Sequence, residues 1–179
     1  PSEYPDLSKA SEIAIDLETK DPNLKILGPG WPRFDGAIVG FAVATADQQY
    51  YFPIQHDAGG NMDLAVTTAY IQDLLNLPCP KIFHNAQYDV GWLKINGFDI
   101  KGKIIDTMVA AAVVNENRFS YSLNSLGFDL LGEIKSEAFL NEKAKEWGLD
   151  PKQDLWRMPA GFVGHYAEQD AALTYKLWQ

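Results

Sequence analysis

Near the start of the chain Ile13, Ile15 and Leu17 alternate with Ala14, Asp16 and Glu18. A period of two predicts a β-strand over about Glu12 to Glu18. Ala37 to Ala44 is a continuous apolar run, and Tyr50 to Ile54 follows it across Asp47-Gln48-Gln49. That spacing predicts two further strands and a three-strand meander. The stretch 20–36 between the first two strands holds Pro22, Pro29, Pro32, Gly28 and Gly30, the composition of a long loop that walls one side of the Asp16/Glu18 pair. His56 to Asn61 is a Gly-rich loop, and Asp63 to Leu77 carries Leu64, Val66, Ile71, Leu74 and Leu75 at helical spacing before Pro78.

Farther along, Lys81 to Asn85 predicts a short fourth strand, and Ala86 to Ile95 a helix ended by Asn96-Gly97. Ile104 to Thr107 predicts a fifth strand that leads into a helix over Met108–Asn115. Helices are also predicted over Ser122–Leu131, over the Lys- and Glu-rich amphipathic stretch Glu133–Trp147, and over Ala160–Trp178 after Pro159. Strands first, then strands alternating with helices, predict an α/β domain: a mixed sheet flanked by helices. Residues 1–11 are polar and aperiodic and are expected to be a leader or linker, with 12–179 as one domain.

At 179 residues, 46% of them hydrophobic, the chain suffices for one domain with a full core. No apolar run approaches the roughly 20 residues of a membrane span. The single cysteine, Cys79, excludes an internal disulfide and predicts a reducing, cytoplasmic setting. A start at Pro1 and an end at Leu177-Trp178-Gln179 inside a predicted helix suggest a domain excised from a longer protein. Net charge is −9, which argues against a module that grips long nucleic acid by charge alone. A nuclease is compatible with that balance if metal ions neutralise the site and few nucleotides are held.

Asp16 and Glu18 project from one face of their strand, side by side. Two close carboxylates repel, so a cation is expected between them, and hard oxygen ligands suit Mg²⁺ or Mn²⁺. The plainer alternative is a solvated strand face. His84-Asn85-Ala86-Gln87-Tyr88-Asp89 stands at a strand-to-helix junction, with Asn85 and Asp89 four apart. They share a helix face if the helix begins near Asn85; helix capping is the alternative. Tyr166 and Asp170 are again four apart in the last predicted helix, where ordinary helix surface is the alternative.

Together and in order, Asp-x-Glu, Asn-x-x-x-Asp and Tyr-x-x-x-Asp resemble the motifs of the DEDD superfamily of 3′–5′ exonucleases. The proofreading domain of family-A DNA polymerases is the look-alike. Supporting strings are Ile38-Val39-Gly40-Phe41, Phe83-His84-Asn85, Ile105-Asp106-Thr107-Met108, Ser122-Leu123-Asn124-Ser125-Leu126 and Tyr166-Ala167-Glu168-Gln169-Asp170-Ala171. The resemblance covers roughly 12–178 and departs at Lys20-Asp21-Pro22, where family members often carry a second Thr or Ser. His165 also stands five before Asp170, the spacing of a histidine branch. At about 100° per residue, Tyr166 lies about 40° from Asp170 and His165 about 140° away if the helix already runs through 165. If the helix starts later, His165 reaches. The Tyr88-Asp89 and Tyr166 contexts resemble the tyrosine branch, DEDDy.

The resemblance implies a ribonuclease H-like fold and two-metal phosphodiester hydrolysis. Asp16, Glu18, Asp89 and Asp170 would hold two Mg²⁺ or Mn²⁺ ions, and Tyr166 would orient the attacking water. The substrate implied is a single-stranded DNA 3′ end, with a polymerase domain in the same parent chain, in a bacterial or phage-infected cell. Thr19, Asn85, Tyr88 and Arg118 are the expected substrate contacts; a solvated loop is the alternative for Arg118. His84 is either a hydrogen-bonded strand-end residue or a ligand, and Asp106 and Thr107 are expected to be structural, a strand-end acid capping the next helix. Phe119, Phe139 and Trp147 are candidates for base stacking, although core packing is the commoner use of such residues. An RNA-trimming relative of the RNase D type shares the same motifs. A degenerate exonuclease fold serving as a binding or scaffold module is a further alternative, opposed by the presence of all four acids and the tyrosine.

Overall fold

A computed structural model describes residues 1–179. Five strands form one sheet: β1 (Ile13–Lys20), β2 (Ala37–Ala44), β3 (Gln49–Pro53), β4 (Lys81–Phe83) and β5 (Ile104–Asp106), in the order β3-β2-β1-β4-β5. β1 lies at the centre, antiparallel to β2 and parallel to β4; β2–β3 is antiparallel and β4–β5 parallel. The meander and the parallel half expected of a mixed α/β sheet are both present.

The two faces of the sheet carry different residues, and this decides where the acids point. Ile13, Ile15, Leu17, Phe41 and Phe52 pack against Ile71, Leu74 and Leu75 of α2 (Leu64–Asn76) and Trp92 and Leu93 of α3 (Ala86–Ile95). Each large apolar side chain buried in this way contributes about 1.5–3 kcal/mol. The opposite face is made of small residues. Ala14, Ala42 and Ala44 meet Val163, Ala167 and Ala171 of α7 (Ala160–Trp178), with Leu140 and Ala144 of α6 (Ala138–Glu146) in the same cluster. Small side chains on both partners let the α7 backbone come close to β1. Asp16 and Glu18 continue the Ala14 row, so alternation aims them at α7. A β-bulge between Glu18 and Thr19 shifts the register there, a device that re-aims side chains beside functional sites.

Asp106 caps two helices at once. Its carboxylate accepts from the Asn85 and Ala86 amides at 3.1 and 2.9 Å at the start of α3. It also accepts from the Met108 and Val109 amides of α4 (Thr107–Val114). Capping therefore belongs to Asp106, as expected, and not to the Asn85 side chain, which makes no cap bond. This frees Asn85, held at φ 65°, for other contacts.

Four expectations need correction. Residues 1–11 are not a detached leader: Leu7 is buried, the Tyr4 ring stacks on Phe52, and the Tyr70 hydroxyl donates to the Pro5 carbonyl at 2.6 Å. The 20–36 loop is not featureless. It holds a helical turn, α1 (Leu24–Leu27), and a 3₁₀ turn, Trp31–Arg33. The Gly30 amide donates to Asp21, Asn23 donates to Asp35, and the Arg33 guanidinium donates to the Leu27 and Pro29 carbonyls. The helix expected over Ser122–Leu131 is α only over α5 (Leu123–Leu126) and widens into a π-helical turn over Gly127–Leu131.

The helix expected over Glu133–Trp147 begins only at Ala138. Gly132, at φ 67°, ends the preceding turn, and contacts with α7 hold 133–137 out of helical form. The Ser136 amide donates to Gln169 Oε1 at 3.1 Å, and Lys135 bonds Asp170. Tertiary contacts here override helical periodicity. Phe119, Phe139 and Trp147 are likewise not core residues: all three are exposed, and the latter two meet Phe162 edge-on.

Candidate active site

Asp16, Glu18 and Asp170 each place a carboxylate oxygen within 4.8 Å of the others. The first two come from one face of β1, the third from α7, seated on the sheet by Ala167 and Ala171. Asp89, in the first turn of α3, is buried, and its Oδ2 has no hydrogen-bond partner. A buried, unpartnered carboxylate oxygen is costly, and so are three acids in mutual repulsion. All four side chains line one open cleft of about 360 Å³, together with His84, Asn85, Tyr88, Asn124, Lys152, Leu155 and Tyr166.

Electrostatics follow from that crowding. Burial, then repulsion from Asp170, pushes Asp16 well above the usual carboxylate range, with Lys135 pulling the other way. Glu18 is raised well above it by burial and then by Asp16 and Asp170. Burial and the neighbouring Asp16 raise Asp89, against a pull from the Leu17 backbone N–H. Asp170 is raised by burial and held down by Lys135. The group is short of positive charge, and its donors are hard oxygens that fit a hard divalent cation. Asp16, Glu18 and Asp170 are the residues able to hold one, with the orphaned Asp89 oxygen facing the same cleft.

Tyr166 and His165 part company around the helix. α7 runs unbroken from Ala160, so residue 165 is already helical. Tyr166 lines the cleft, its ring 4.4 Å from the Lys135 ammonium. His165 is exposed and pairs with the Gln169 amide at 2.8 Å. Burial, then Asp170 and Glu18, push the Tyr166 hydroxyl above its ordinary range, so it stays protonated at neutral pH.

Of the expected substrate contacts, Asn85 and Tyr88 line the cleft. The Tyr88 hydroxyl donates to Asp21 Oδ2 at 2.9 Å and shares a 2.9 Å bond with the Thr19 hydroxyl, which ties the 20–36 loop to the site's edge. Thr19 stands beside Tyr88 just past the bulge. Arg118 does not line this cleft. Its guanidinium is paired with Asp129 at 2.5 Å and lines a separate apolar groove with Ala110, Val114, Leu130 and Trp178. His84 lines the cleft at the strand end with its ring hydrogen-bonded, Nε2 donating to the Tyr121 carbonyl at 2.8 Å.

Lys135 is the residue that sequence reasoning missed. It sits where a surface helix is expected, and nothing in its neighbours signals that its ammonium reaches Asp170. Lys152 and Leu155 also line the cleft from a segment with no periodic signature pointing to it, and Asn124 from the Ser122–Leu126 string.

A mixed sheet with a carboxylate cluster between its central strand and a long helix is an α/β architecture with a candidate metal site, and similarity to known proteins gives its family. The chain belongs to the 3′–5′ exonuclease family, whose model matches residues 4–179. It is 35% identical over 181 residues to a DNA-directed DNA polymerase of Pseudomonas phage M6, covering 98% of this chain and 27% of that protein. It is 26% identical over 171 residues to DNA polymerase I of Synechocystis sp., covering 92% of the chain and 16% of the relative. The chain thus spans about a quarter or less of these relatives' length, 27% and 16%. Among solved structures, RNase D of Trypanosoma brucei superposes with a TM-score of 0.67 at 20% identity, over 96% of this chain and 57% of that one. NrnC of Brucella melitensis bound to pGG gives 0.65 at 17%, over 97% and 72%. The fold is the ribonuclease H-like one expected.

Proposed function

We propose that this chain hydrolyses phosphodiester bonds one nucleotide at a time from the 3′ end of single-stranded DNA, as the proofreading partner of a polymerase domain in the same parent protein. The observation that carries this is the convergence of Asp16, Glu18 and Asp170 within 4.8 Å beside the unpartnered Asp89 oxygen and Tyr166. Similarity to phage and bacterial DNA polymerases supports DNA as the substrate and the cytoplasm of a bacterial or phage-infected cell as the setting. No helix is long and apolar enough to cross a membrane.

Asp16, Glu18, Asp89 and Asp170 would hold the Mg²⁺ or Mn²⁺ ions in this proposal. When bound, the ions supply a water acidified towards neutrality and charge neutralisation at the scissile phosphate. Tyr166, protonated, would orient the attacking water towards the scissile phosphate. Water oxygen bonds to phosphorus, the P–O3′ bond breaks, and the displaced 3′-oxygen takes up a proton. The products are a 5′-mononucleotide and a strand one residue shorter. Asn85 and Tyr88 border the sugar and phosphate of the leaving nucleotide, and the Thr19 backbone amide is available to the terminal 3′-hydroxyl.

A 5′-labelled single-stranded DNA and a matched RNA, each incubated with Mg²⁺, Mn²⁺ or chelator, test this directly. A DNA ladder shrinking from the 3′ end is expected. Chelator abolishes it, Asp170→Ala slows it by at least about 10³-fold, and Tyr166→Phe by about 10–100-fold. Faster loss of the RNA moves the substrate to the RNase D kind, a pertinent control given the shared fold. No cleavage of either strand by folded, metal-saturated protein would leave the scaffold role instead.

A further inference from the structure

Lys135 is the one cation inserted among the acids. It stands on the non-helical stretch between Gly132 and Ala138, yet its side chain is only 8% exposed. The ammonium bonds Asp170 Oδ1, lies 3.8 Å from Glu137 Oε1, and caps the Tyr166 ring at 4.4 Å. It lowers the proton affinity of Asp16, Glu18 and Asp170 alike. The segment is fastened to α7 by the Ser136 amide on Gln169, so the placement is built, not a chance surface pair.

One carboxylate cannot serve two cations fully. The Asp170 carboxylate that bonds Lys135 belongs to the same cluster that offers oxygens to a divalent ion. A metal that takes Asp170 draws electron density from the bond to the ammonium and repels its charge. An ammonium stripped of its partner inside a protein is costly, but Glu137 stands next to it as a second, more exposed acceptor. Lys135 thus has somewhere to go.

We propose that Lys135 is an internal counter-cation: it holds Asp170 and Tyr166 in place and competes with the divalent ion for Asp170, passing to Glu137 when the ion binds. The proposal rests on the metal-dependent reading above. Removing the charge makes metal binding tighter while the metal-stripped protein becomes less stable; a lysine that merely packs loosens both.

Calorimetric titration of the intact chain with Mn²⁺, alongside thermal melts in chelator, tests it on wild type, Lys135→Met, Lys135→Gln and Lys135→Arg. Met and Gln are expected to raise Mn²⁺ affinity at least about tenfold and to lower the melting temperature in chelator; Arg, which keeps the charge, stays within about threefold of wild type in affinity. Two uncharged variants guard against one failing to fold, which circular dichroism reports. Uncharged variants that bind Mn²⁺ no tighter than wild type overturn the proposal, as does an Arg variant that shifts as far as Met. Wild type that takes up no Mn²⁺ overturns the metal site itself, a separate and recognisable failure.

Discussion

At the scale of single residues, a histidine away from the acids offers the cleanest pH test. His56 is buried, its Nδ1 donating to the Met158 carbonyl at 2.9 Å and its Nε2 accepting from the Tyr51 hydroxyl at 2.7 Å. The neutral ring with its proton on Nδ1 satisfies both bonds; a second proton on Nε2 obliges the Tyr51 hydroxyl to turn from donor to acceptor and places a charge in the core. Burial accordingly pulls its pKa below the ordinary 6.5. Between that lowered value and 6.5 the unfolded chain binds more protons than the folded one, so stability rises with pH there. The contribution is fully present above 6.5 and is lost as pH falls through the window. Replacing His56 with Gln is expected to cost about 1–3 kcal/mol at pH 7.5, a melting-temperature drop of about 3–10 °C. The gap between wild type and variant should narrow towards pH 5. The buried acids, which titrate in the opposite sense, are common to both proteins and cancel in that difference. A gap independent of pH contradicts a neutral His56.

At the scale of elements, a glycine on α3 holds the 20–36 loop against the body of the protein. A Cβ added at Gly91 falls 2.3 Å from the Trp31 indole, a rigid group with its back to the loop. Tyr88, one turn earlier on the same helix, meets the loop through Asp21. Gly91→Ala therefore expels Trp31 and frees the loop, an overpacking that costs about 1–3 kcal/mol. Hydrogen exchange is expected to accelerate over 24–36 with the central strands left protected. Unchanged protection of that loop contradicts the anchoring role of Trp31. The bulge after Glu18 acts at this scale too, because it separates the acids facing α7 from Thr19 beside Tyr88.

At the scale of the whole molecule, charge limits how a strand can be held. Net charge is −9, and Lys135 and Arg118 are each committed to an acid of the same chain. Lys152 is the free cation that lines the cleft. A strand gripped at so few cationic points releases few counterions. With the Asp170→Ala variant, which keeps the strand intact, the slope of log affinity against log salt is expected to be shallower than about −2 at roughly 0.7 per neutralised phosphate. A slope steeper than about −4 points to a phosphate track along the surface, and to a binding role in place of terminal clipping.

What the sequence determined by itself is local in origin. Alternation along β1 and the four-residue spacings at Asn85/Asp89 and Tyr166/Asp170 follow from strand and helix geometry. The sheet strands and the side-by-side placement of Asp16 and Glu18 are therefore legible in the amino-acid sequence alone, whereas the start of α7 at Ala160, which puts Tyr166 in the cleft and leaves His165 exposed, is not. Tertiary structure decided what depends on residues far apart in the chain. The stretch 133–137 has helical composition but is held out of helical form by Gln169 and Asp170, more than 30 positions away. Arg118 has the look of a phosphate contact but is claimed by Asp129. The first 11 residues lack any period, yet Tyr4 and Leu7 complete the core under α2. Periodicity reports which face a side chain takes on its own element; only packing reports which other element meets that face.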